Sequence, residues 1–224
     1  MARRLLLVRH ARIVAASTGR LIGATDAPLD AEGLRQAGVL AERVRRWSPD
    51  CYCSSPMERC RQTVAAIAGS TPVQFDDDLR EIDFGRCEGR TFAEVAREDA
   101  SLAGRWAALD DDFAFPGGER LGGFLERVRG AVDRLARLDV PTVLAVTHGG
   151  VIRSAICHLL GLEPRHYLAF DVTYAATVAI DLFDGRGVLA AMEPLDPAAS
   201  KGDSPIFVER KLGQSPTSAE GRHG

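Results

Sequence analysis

The 224-residue chain lacks several features that mark large classes of proteins. Its formal net charge is −3, so it carries no excess of positive charge, and we expect no nucleic-acid partner. No apolar run approaches the roughly 18 residues that a transmembrane helix requires, so we expect no membrane partner either. The N-terminal residues resemble a signal peptide only briefly, because Arg9 and His10 interrupt the apolar run and no cleavage site of small residues follows. These absences predict a cytoplasmic protein.

The chain also lacks the residue patterns of disulfide-rich and metal-binding proteins. Its five cysteines are odd in number and scattered, which argues against a disulfide framework. It has no H-x-x-x-H motif and no cluster of cysteine and histidine at ligand spacing, so we expect no metal and no cofactor. One alternative stays open, because the acidic run at residues 76–78 is compatible with a metal-dependent hydrolase, although such runs are usually solvated loops.

Two apolar runs each lead to a histidine. Residues 5–8 lead into Arg9 and His10, and residues 140–147 lead into His148. Apolar runs of this kind are typical of buried parallel strands. Because ligands bind at the carboxyl ends of strands in open α/β sheets, the two histidines are predicted to lie in one crevice. Histidines that are paired with arginine suit a phosphate better than a metal ion.

The rest of the chain alternates helices with strands. Beyond the two apolar runs, the patterns predict helices at residues 30–47, 56–68, 120–138 and 151–160, and strands at 50–54, 71–75, 175–183 and 187–192. The helix that starts at Pro56 is assigned from a capping box between Ser55 and Glu58. The last two strands are predicted to form an edge hairpin around residues 184–187. This alternation predicts an α/β fold, namely a three-layer α/β/α sandwich with a mostly parallel central sheet.

Four short segments occur in a recognisable order along the chain. They are LVRH at residues 7–10, SSPMER at 54–59, EIDFGRCEG at 81–89 and VTHGG at 146–150. Together they resemble the motifs of the histidine phosphatase superfamily, whose fold is phosphoglycerate-mutase-like. The resemblance extends from about residue 5 to residue 192. It predicts a histidine phosphatase domain at residues 1–195, and the composition predicts a disordered tail at residues 196–224.

The resemblance implies roles for three catalytic residues. His10 is the expected nucleophile, which forms a phosphohistidine that water then cleaves. His148 is the expected second imidazole, which donates to a phosphoryl oxygen. Glu81 matches the general acid that protonates the leaving oxygen, with Asp83 as its local rival. His10 must be neutral for this chemistry, and neighbouring arginines are expected to disfavour its protonation.

Four further residues are expected to bind the substrate. Arg9 and Arg59 are the expected clamps on the phosphoryl oxygens, because the planar guanidinium matches phosphate with paired hydrogen bonds. Gly149 follows the second histidine and lets backbone amides approach the phosphate closely. Arg20 is expected to line the site.

The first motif departs from the family pattern, which usually reads Arg-His-Gly-Glu. Ala11 is a small change, whereas Arg12 is expected to place an extra cation near the pocket mouth. An asparagine that often helps to bind phosphate in the family aligns with Ala16, and Cys87 replaces a frequent aromatic residue. These departures bear on substrate preference and rate more than on the reaction class.

The resemblance therefore predicts an enzyme, a metal-independent phosphomonoesterase that acts on a small phosphorylated metabolite. Residues 148–181 look like α-ribazole phosphatases, which makes α-ribazole 5′-phosphate a candidate substrate. Two alternatives stay open. One is phosphoglycerate-mutase-type transfer, which the short stretch between residues 88 and 116 disfavours, and the other is a non-catalytic relative that binds phosphorylated ligands. A homodimer is also left open.

Overall fold

The computed structural model describes residues 3–14, 19–108, 112–183 and 186–196. Its strands within these ranges are β1 (Arg3–Arg9), β2 (Cys51–Ser54), β3 (Val73–Phe75), β4 (Thr142–Thr147), β5 (Thr177–Phe183) and β6 (Arg186–Glu193). Its α-helices are α1 (Ala31–Val44), α2 (Glu58–Ala68), α3 (Phe92–Glu98), α4 (Ala100–Ala107), α5 (Leu121–Ala136) and α6 (Gly149–Leu160). The predicted tail lies outside the described residues except for its first residue, Asp196.

These strands form one sheet in the order β3-β2-β4-β1-β5-β6. β1 pairs in parallel with β4, and β2 pairs in parallel with both β4 and β3. β5 runs antiparallel to β1, and β6 runs antiparallel to β5. The mostly parallel sheet and its edge hairpin are therefore confirmed, although residues 184–185 of the predicted turn lie outside the described ranges.

Helices cover both faces of the sheet, and the alternation of side chains along β1 connects the two layers. Leu6 and Val8 join a buried cluster with residues of α1 and α2, whereas Leu5 and Leu7 join a cluster with residues of α5 and α6. All four side chains are at most 1% exposed. Because burying one such side chain contributes about 1.5–3 kcal/mol, β1 anchors both layers. The predicted three-layer α/β/α sandwich is confirmed.

The carboxyl ends of β1 and β4 lie side by side. Arg9 is in register with Thr147, and the His10 N–H donates to the Thr147 carbonyl at 2.9 Å. His148 follows β4 directly and is the N-cap residue of α6. The two histidines therefore emerge at adjacent positions on one edge of the sheet, as predicted.

The predicted capping box of α2 is wrong. The helix begins at Glu58, with Met57 as its N-cap residue, and the N-cap side chain makes no hydrogen bond. The Glu58 N–H donates to Asp26 Oδ1 at 2.7 Å, while the Ser55 hydroxyl lies 2.9 Å from His148 Nε2. The serine that the local pattern assigned to a helix terminus is thus engaged by a histidine that is distant in sequence.

The weakly patterned stretch before α5 is held together by aromatic side chains. Phe84, Trp106 and Phe115 contact one another edge to face, with ring centroids 5.0–6.0 Å apart. Such pairs contribute about 0.5–1.5 kcal/mol beyond the area that they bury. Because Phe84 and Trp106 also line a cavity at the edge of the sheet, this stretch forms part of the cavity wall.

Candidate active site

A cavity opens at the edge of the sheet where β1 and β4 end. Five of the seven predicted site residues line it, namely Arg9, His10, Arg20, Glu81 and Gly149. The other two, Arg59 and His148, lie next to His10 and are 0% exposed. All seven therefore belong to one neighbourhood, with two of them behind the cavity wall.

His10 has one nitrogen that is free to react. Its Nδ1 lies 2.9 Å from the Ala11 carbonyl, which can only accept a hydrogen bond, so Nδ1 carries the proton and Nε2 keeps a lone pair. Burial lowers the pKa of His10 well below its ordinary value, and the positive charges of Arg59 and Arg9 lower it further. The side chain is therefore a neutral imidazole, as the expected nucleophile must be.

His148 is a second neutral imidazole, with its ring centroid 5.2 Å from that of His10. Arg59 Nε donates to His148 Nδ1 at 3.1 Å. Because a guanidinium only donates, Nδ1 is unprotonated and Nε2 carries the proton toward the Ser55 hydroxyl, 2.9 Å away. Burial, followed by the charge of Arg59, lowers the pKa of His148 well below its ordinary value. The His148 N–H is therefore engaged by Ser55 in this structure.

Arg59 contacts protein with all three of its guanidinium nitrogens. Besides Nε on His148, Nη1 and Nη2 donate to the carbonyls of Thr25 and Gly23, each at 2.8 Å. Nη1 and Nη2 each carry a second N–H, so the direct clamp on a phosphoryl oxygen stays a prediction. Arg59 also fixes the His148 ring and places a positive charge behind both histidines.

Glu88 organises the loop that holds Arg59. Its carboxylate accepts from the Gly23 N–H at 3.0 Å and from the Thr25 hydroxyl at 2.7 Å. These contacts fix the two residues whose carbonyls accept from Arg59. A continuous chain of hydrogen bonds therefore runs from Glu88, through the loop and Arg59, to His148.

Arg9 is one of three arginines that line the cavity, with Arg20 and Arg153. Its Nη1 donates to the Val172 carbonyl at 2.7 Å, and its guanidinium carbon lies 3.9 Å from the centroid of the Tyr174 ring. Arg9 Nε is buried and has no hydrogen-bond partner among the described residues. A Cβ on Gly149 would lie 3.4 Å from this Nε, so the guanidinium stands against the N-terminus of α6. Backbone N–H groups at a helix N-terminus attract anions, so the two features together could bind an anion.

Glu81 also contacts the N-terminus of α6. Its Oε2 accepts from the Gly150 N–H at 2.9 Å, and its Oε1 accepts from the Ile82 N–H at 3.1 Å. A Cβ on Gly150 would overlap Oε1, so a larger residue there would displace the Glu81 carboxylate. The rival carboxylate of Asp83 accepts from the Gly85 N–H at 2.8 Å and is not among the described residues that line the cavity. The geometry favours Glu81 over Asp83.

Two arginines that were expected near the mouth pair with carboxylates. Arg20 lines the cavity, as predicted, and its Nη1 donates to Glu94 at 3.3 Å. Arg12 Nε donates to Asp30 at 2.8 Å, and Arg12 is absent from the described lining residues. The expectation that Arg12 places an extra cation near the mouth stays a prediction. Ala16, where the family often has asparagine, lies outside the described residues.

Three lining residues with polar or charged side chains were not predicted from the sequence: Arg153, Tyr167 and Tyr174. Arg153 lies on α6 and is only 3% exposed. It had a signal, because it is the one permanently charged residue in a helix that is otherwise mostly apolar, and a buried charge needs partners. The two tyrosines had no such signal in the sequence, because only the tertiary fold brings them to the cavity.

The acidic run is occupied by an ion pair. Asp76 and Asp78 each accept from Arg134 Nη2, at 2.8 and 2.7 Å. Within the described ranges, no group of three or more histidine, cysteine, aspartate or glutamate residues could hold a metal ion. In the same part of the chain, no helix has the length and apolar character needed to cross a membrane.

Comparison with known proteins defines the class. Residues 5–193 match the family model of the histidine phosphatase superfamily (branch 1), which agrees with the extent of the resemblance seen in the motifs. The chain belongs to this superfamily. The predicted enzyme class and the phosphoglycerate-mutase-like fold are confirmed, and the chain is a phosphatase.

Three individual relatives are all named as phosphatases, but their names give different substrates. Phosphoserine phosphatase 1 of Hydrogenobacter thermophilus is 30% identical over 83% of this chain and 90% of its own length. The adenosylcobalamin/alpha-ribazole phosphatase of Escherichia coli is 31% identical over 80% of this chain and 90% of its own length. The crystal structure of the alpha-ribazole phosphatase from Shigella flexneri superposes with a TM-score of 0.76 at 29% identity, covering 86% of this chain and 96% of that one.

Proposed function

We propose that the protein is a metal-independent phosphomonoesterase that hydrolyses a small phosphorylated metabolite through a phosphohistidine on His10. The observation that carries this proposal is the unprotonated Nε2 of a neutral histidine in a cavity beside an anion site. Arg9 and the N-terminus of α6 supply that anion site, and the Glu81 carboxylate lies at the same helix terminus.

In the first step, the His10 Nε2 lone pair attacks phosphorus. The bond between phosphorus and the ester oxygen breaks, and protonated Glu81 gives its proton to the leaving oxygen. Arg9 and the backbone N–H groups of α6 stabilise the negative charge of the phosphoryl oxygens. His148 joins them by turning its N–H from Ser55 to a phosphoryl oxygen.

In the second step, water attacks the phosphohistidine. Glu81, now ionised, accepts a proton from the water. The bond between phosphorus and nitrogen breaks, and its electron pair returns to His10 Nε2. Inorganic phosphate leaves, and Glu81 is protonated for the next cycle.

The cavity wall beyond the anion site favours an apolar alcohol. Ile13, Ile22 and Trp106 line it, and Arg20 there is paired with Glu94. Such a wall suits an ester with an aromatic group better than one with a second charge. α-Ribazole 5′-phosphate, which carries a heteroaromatic base, meets this requirement, and two of the similar proteins are named for α-ribazole. Phosphoserine, which appears in the name of another relative, is the second candidate.

The test is phosphate release from α-ribazole 5′-phosphate, phosphoserine and 3-phosphoglycerate in the presence of EDTA. We expect release by the wild type, none by His10→Ala, and normal release by His166→Ala, which removes an exposed histidine. Acid-labile incorporation of labelled phosphate should appear in the wild type and be absent from His10→Ala.

Three results would contradict the proposal. Loss of activity in EDTA would indicate a metal-dependent hydrolase. Phosphoryl transfer to 3-phosphoglycerate from bisphosphoglycerate, without net release, would indicate a mutase. Binding of phosphate esters with no turnover would indicate a non-catalytic relative.

A further inference from the structure

Helix α6 carries a buried arginine that the proposed mechanism does not use. Arg153 is 3% exposed, and its Nε donates to the Phe170 carbonyl at 2.8 Å. The guanidinium also hydrogen-bonds the hydroxyl of Tyr167, a side chain that is 7% exposed. A buried charge needs hydrogen-bond partners, and these two acceptors help to hold the Arg153 side chain in place.

The contact between Arg153 and Tyr167 determines where the phenol proton points. A guanidinium has no acceptor, so it donates and the Tyr167 oxygen accepts. The phenol keeps its own proton, which must therefore be directed away from Arg153. Burial and the negative charge of Glu81 both raise the pKa of Tyr167, so the hydroxyl remains a donor.

The Tyr167 hydroxyl lies next to the carboxylate of Glu81. Both residues line the cavity, and both face the Cα of Gly150. A Cβ on Gly150 would overlap Glu81 Oε1 and lie 2.9 Å from the Tyr167 hydroxyl. The donor of Tyr167 and the proton carrier of Glu81 thus flank one part of the cavity.

We propose that Tyr167 is a further catalytic residue, whose hydroxyl donates a hydrogen bond to the ester oxygen that receives the proton of Glu81, and that Arg153 is its positioning residue. This inference rests on the proposed function. Tyr167 loses no proton in the step. It stabilises the negative charge that develops on the leaving oxygen before the proton of Glu81 arrives.

A structural role for Tyr167 would have a different signature. The ring belongs to the hydrophobic cluster beneath α5 and α6, so its loss could loosen the Pro164–Ala169 turn. A loosened turn lowers the rate with every substrate alike. A donor to the leaving oxygen matters most for an alkyl ester, whose leaving alkoxide is a strong base, and least for an aryl ester.

The test compares kcat/KM, which reports the phosphoryl transfer to His10, for glycerol 2-phosphate and p-nitrophenyl phosphate. In Tyr167→Phe, we expect a loss of about 10- to 100-fold for the alkyl ester, which is the size of a hydrogen bond to a developing charge, and less than about threefold for the aryl ester. Tyr52→Phe removes a hydroxyl on β2 and serves as the matched control, with both rates unchanged.

A double mutant then tests the role of Arg153. We expect Arg153→Met to lower the alkyl rate in the wild type and to add little in the Tyr167→Phe background, because it acts through the same hydroxyl. Equal losses for both esters in Tyr167→Phe, or no loss for either, would overturn the inference while leaving the proposed function intact. An inactive wild type, or full activity in His10→Ala, would instead refute the proposed function.

Discussion

Two histidines at one edge of the sheet are buried next to arginines, and this decides their charge. In both cases, burial is the largest cause of the lowered pKa, and Arg59 is the next. Arg59 also determines which nitrogen of His148 carries the proton. One residue behind the cavity therefore contributes to two properties, the neutrality of His10 and the tautomer of His148.

The lowered pKa values predict how stability depends on pH. Between the folded pKa and the ordinary value of 6.5, these two histidines bind protons only in the unfolded chain. Acid therefore favours unfolding, and the free energy of unfolding should fall below about pH 6.5 by about 1.4 kcal/mol per pH unit for each histidine. Urea unfolding at several values between pH 7.5 and pH 5 measures this slope.

A variant at His10 provides the control for that slope. His10→Gln should remove the share of one histidine, whereas His166→Gln, at an exposed position, should leave the slope unchanged. The same slope in the wild type and in His10→Gln would show that His10 is not buried in its neutral form.

Glu88 is a residue whose effect reaches the site through other groups. It holds the loop whose carbonyls accept from Arg59. Glu88→Gln replaces one acceptor oxygen by an amide donor that faces backbone N–H groups. We expect a loss of about 1–3 kcal/mol in stability, the cost of breaking hydrogen bonds to a charged group, together with lower kcat. Thermal unfolding and phosphate release measure the two effects.

The matched control for Glu88 is Glu98→Gln. The side chain of Glu98 is 70% exposed and pairs with Arg90. Exposed pairs contribute about 0–1 kcal/mol, so both stability and rate should stay near the wild-type values. If Glu88→Gln behaved like Glu98→Gln, the chain of contacts from Glu88 to His148 would affect neither stability nor activity.

Among the helices, α6 is special because its first turn is part of the site. The glycines at its N-terminus leave room for Arg9, for the Glu81 carboxylate and for the Tyr167 hydroxyl. A helix that began with larger residues would push these groups away from its N–H donors. Glycine lowers helix propensity at these two positions, but it allows the neighbouring side chains to approach the helix backbone closely.

Gly150→Ala should therefore disable the enzyme without unfolding it. Its Cβ would overlap Glu81 Oε1 and displace the carboxylate from the Gly150 N–H. We expect a loss of at least about 100-fold in kcat, within the range that general acid catalysis supplies. Gly38→Ala, on α1 with nothing within 4 Å of its Cβ, should stabilise the protein by up to about 1 kcal/mol and keep full activity. Full activity in Gly150→Ala would mean that Glu81 can act from another position.

The elements that could be predicted are those whose pattern is local. Apolar runs located β1 and β4, and the histidines at their ends followed from the parallel arrangement of the two strands. The predicted start of α2 was wrong because Ser55 contacts His148, a long-range partner that no local pattern reveals. The contacts among Phe84, Trp106 and Phe115 were missed for the same reason, because these residues are far apart in the sequence.

At the scale of the whole molecule, the functional prediction came from the order of four motifs along the chain. Four short motifs predicted where nucleophile, acid and arginines would meet, and the fold brings them to one neighbourhood. Their detailed contacts could not be predicted, because they depend on tertiary hydrogen bonds. Arg59 lies behind the cavity and not on its wall, and Arg12 pairs with Asp30.

The anion site should also stabilise the entire fold when it is occupied. Inorganic phosphate is the product of the proposed reaction, and only the folded state presents Arg9 together with the N-terminus of α6. At a phosphate concentration 100 times its dissociation constant, the stabilisation is about 2.7 kcal/mol. For a chain of this size, that corresponds to a rise of about 5–10 °C in Tm.

Thermal unfolding in phosphate, compared with chloride at equal ionic strength, measures this effect. Arg9→Gln should abolish most of the rise, because the guanidinium with the unpartnered Nε faces the cavity. Arg12→Gln should keep the full rise, because Arg12 already pairs with Asp30. Equal behaviour of the two variants would place the phosphate elsewhere, and the same rise in chloride would reduce the effect to general screening of charge. A rise in Tm that depends on Arg9 and not on Arg12 would show that an anion bound at the end of β1 stabilises the whole fold.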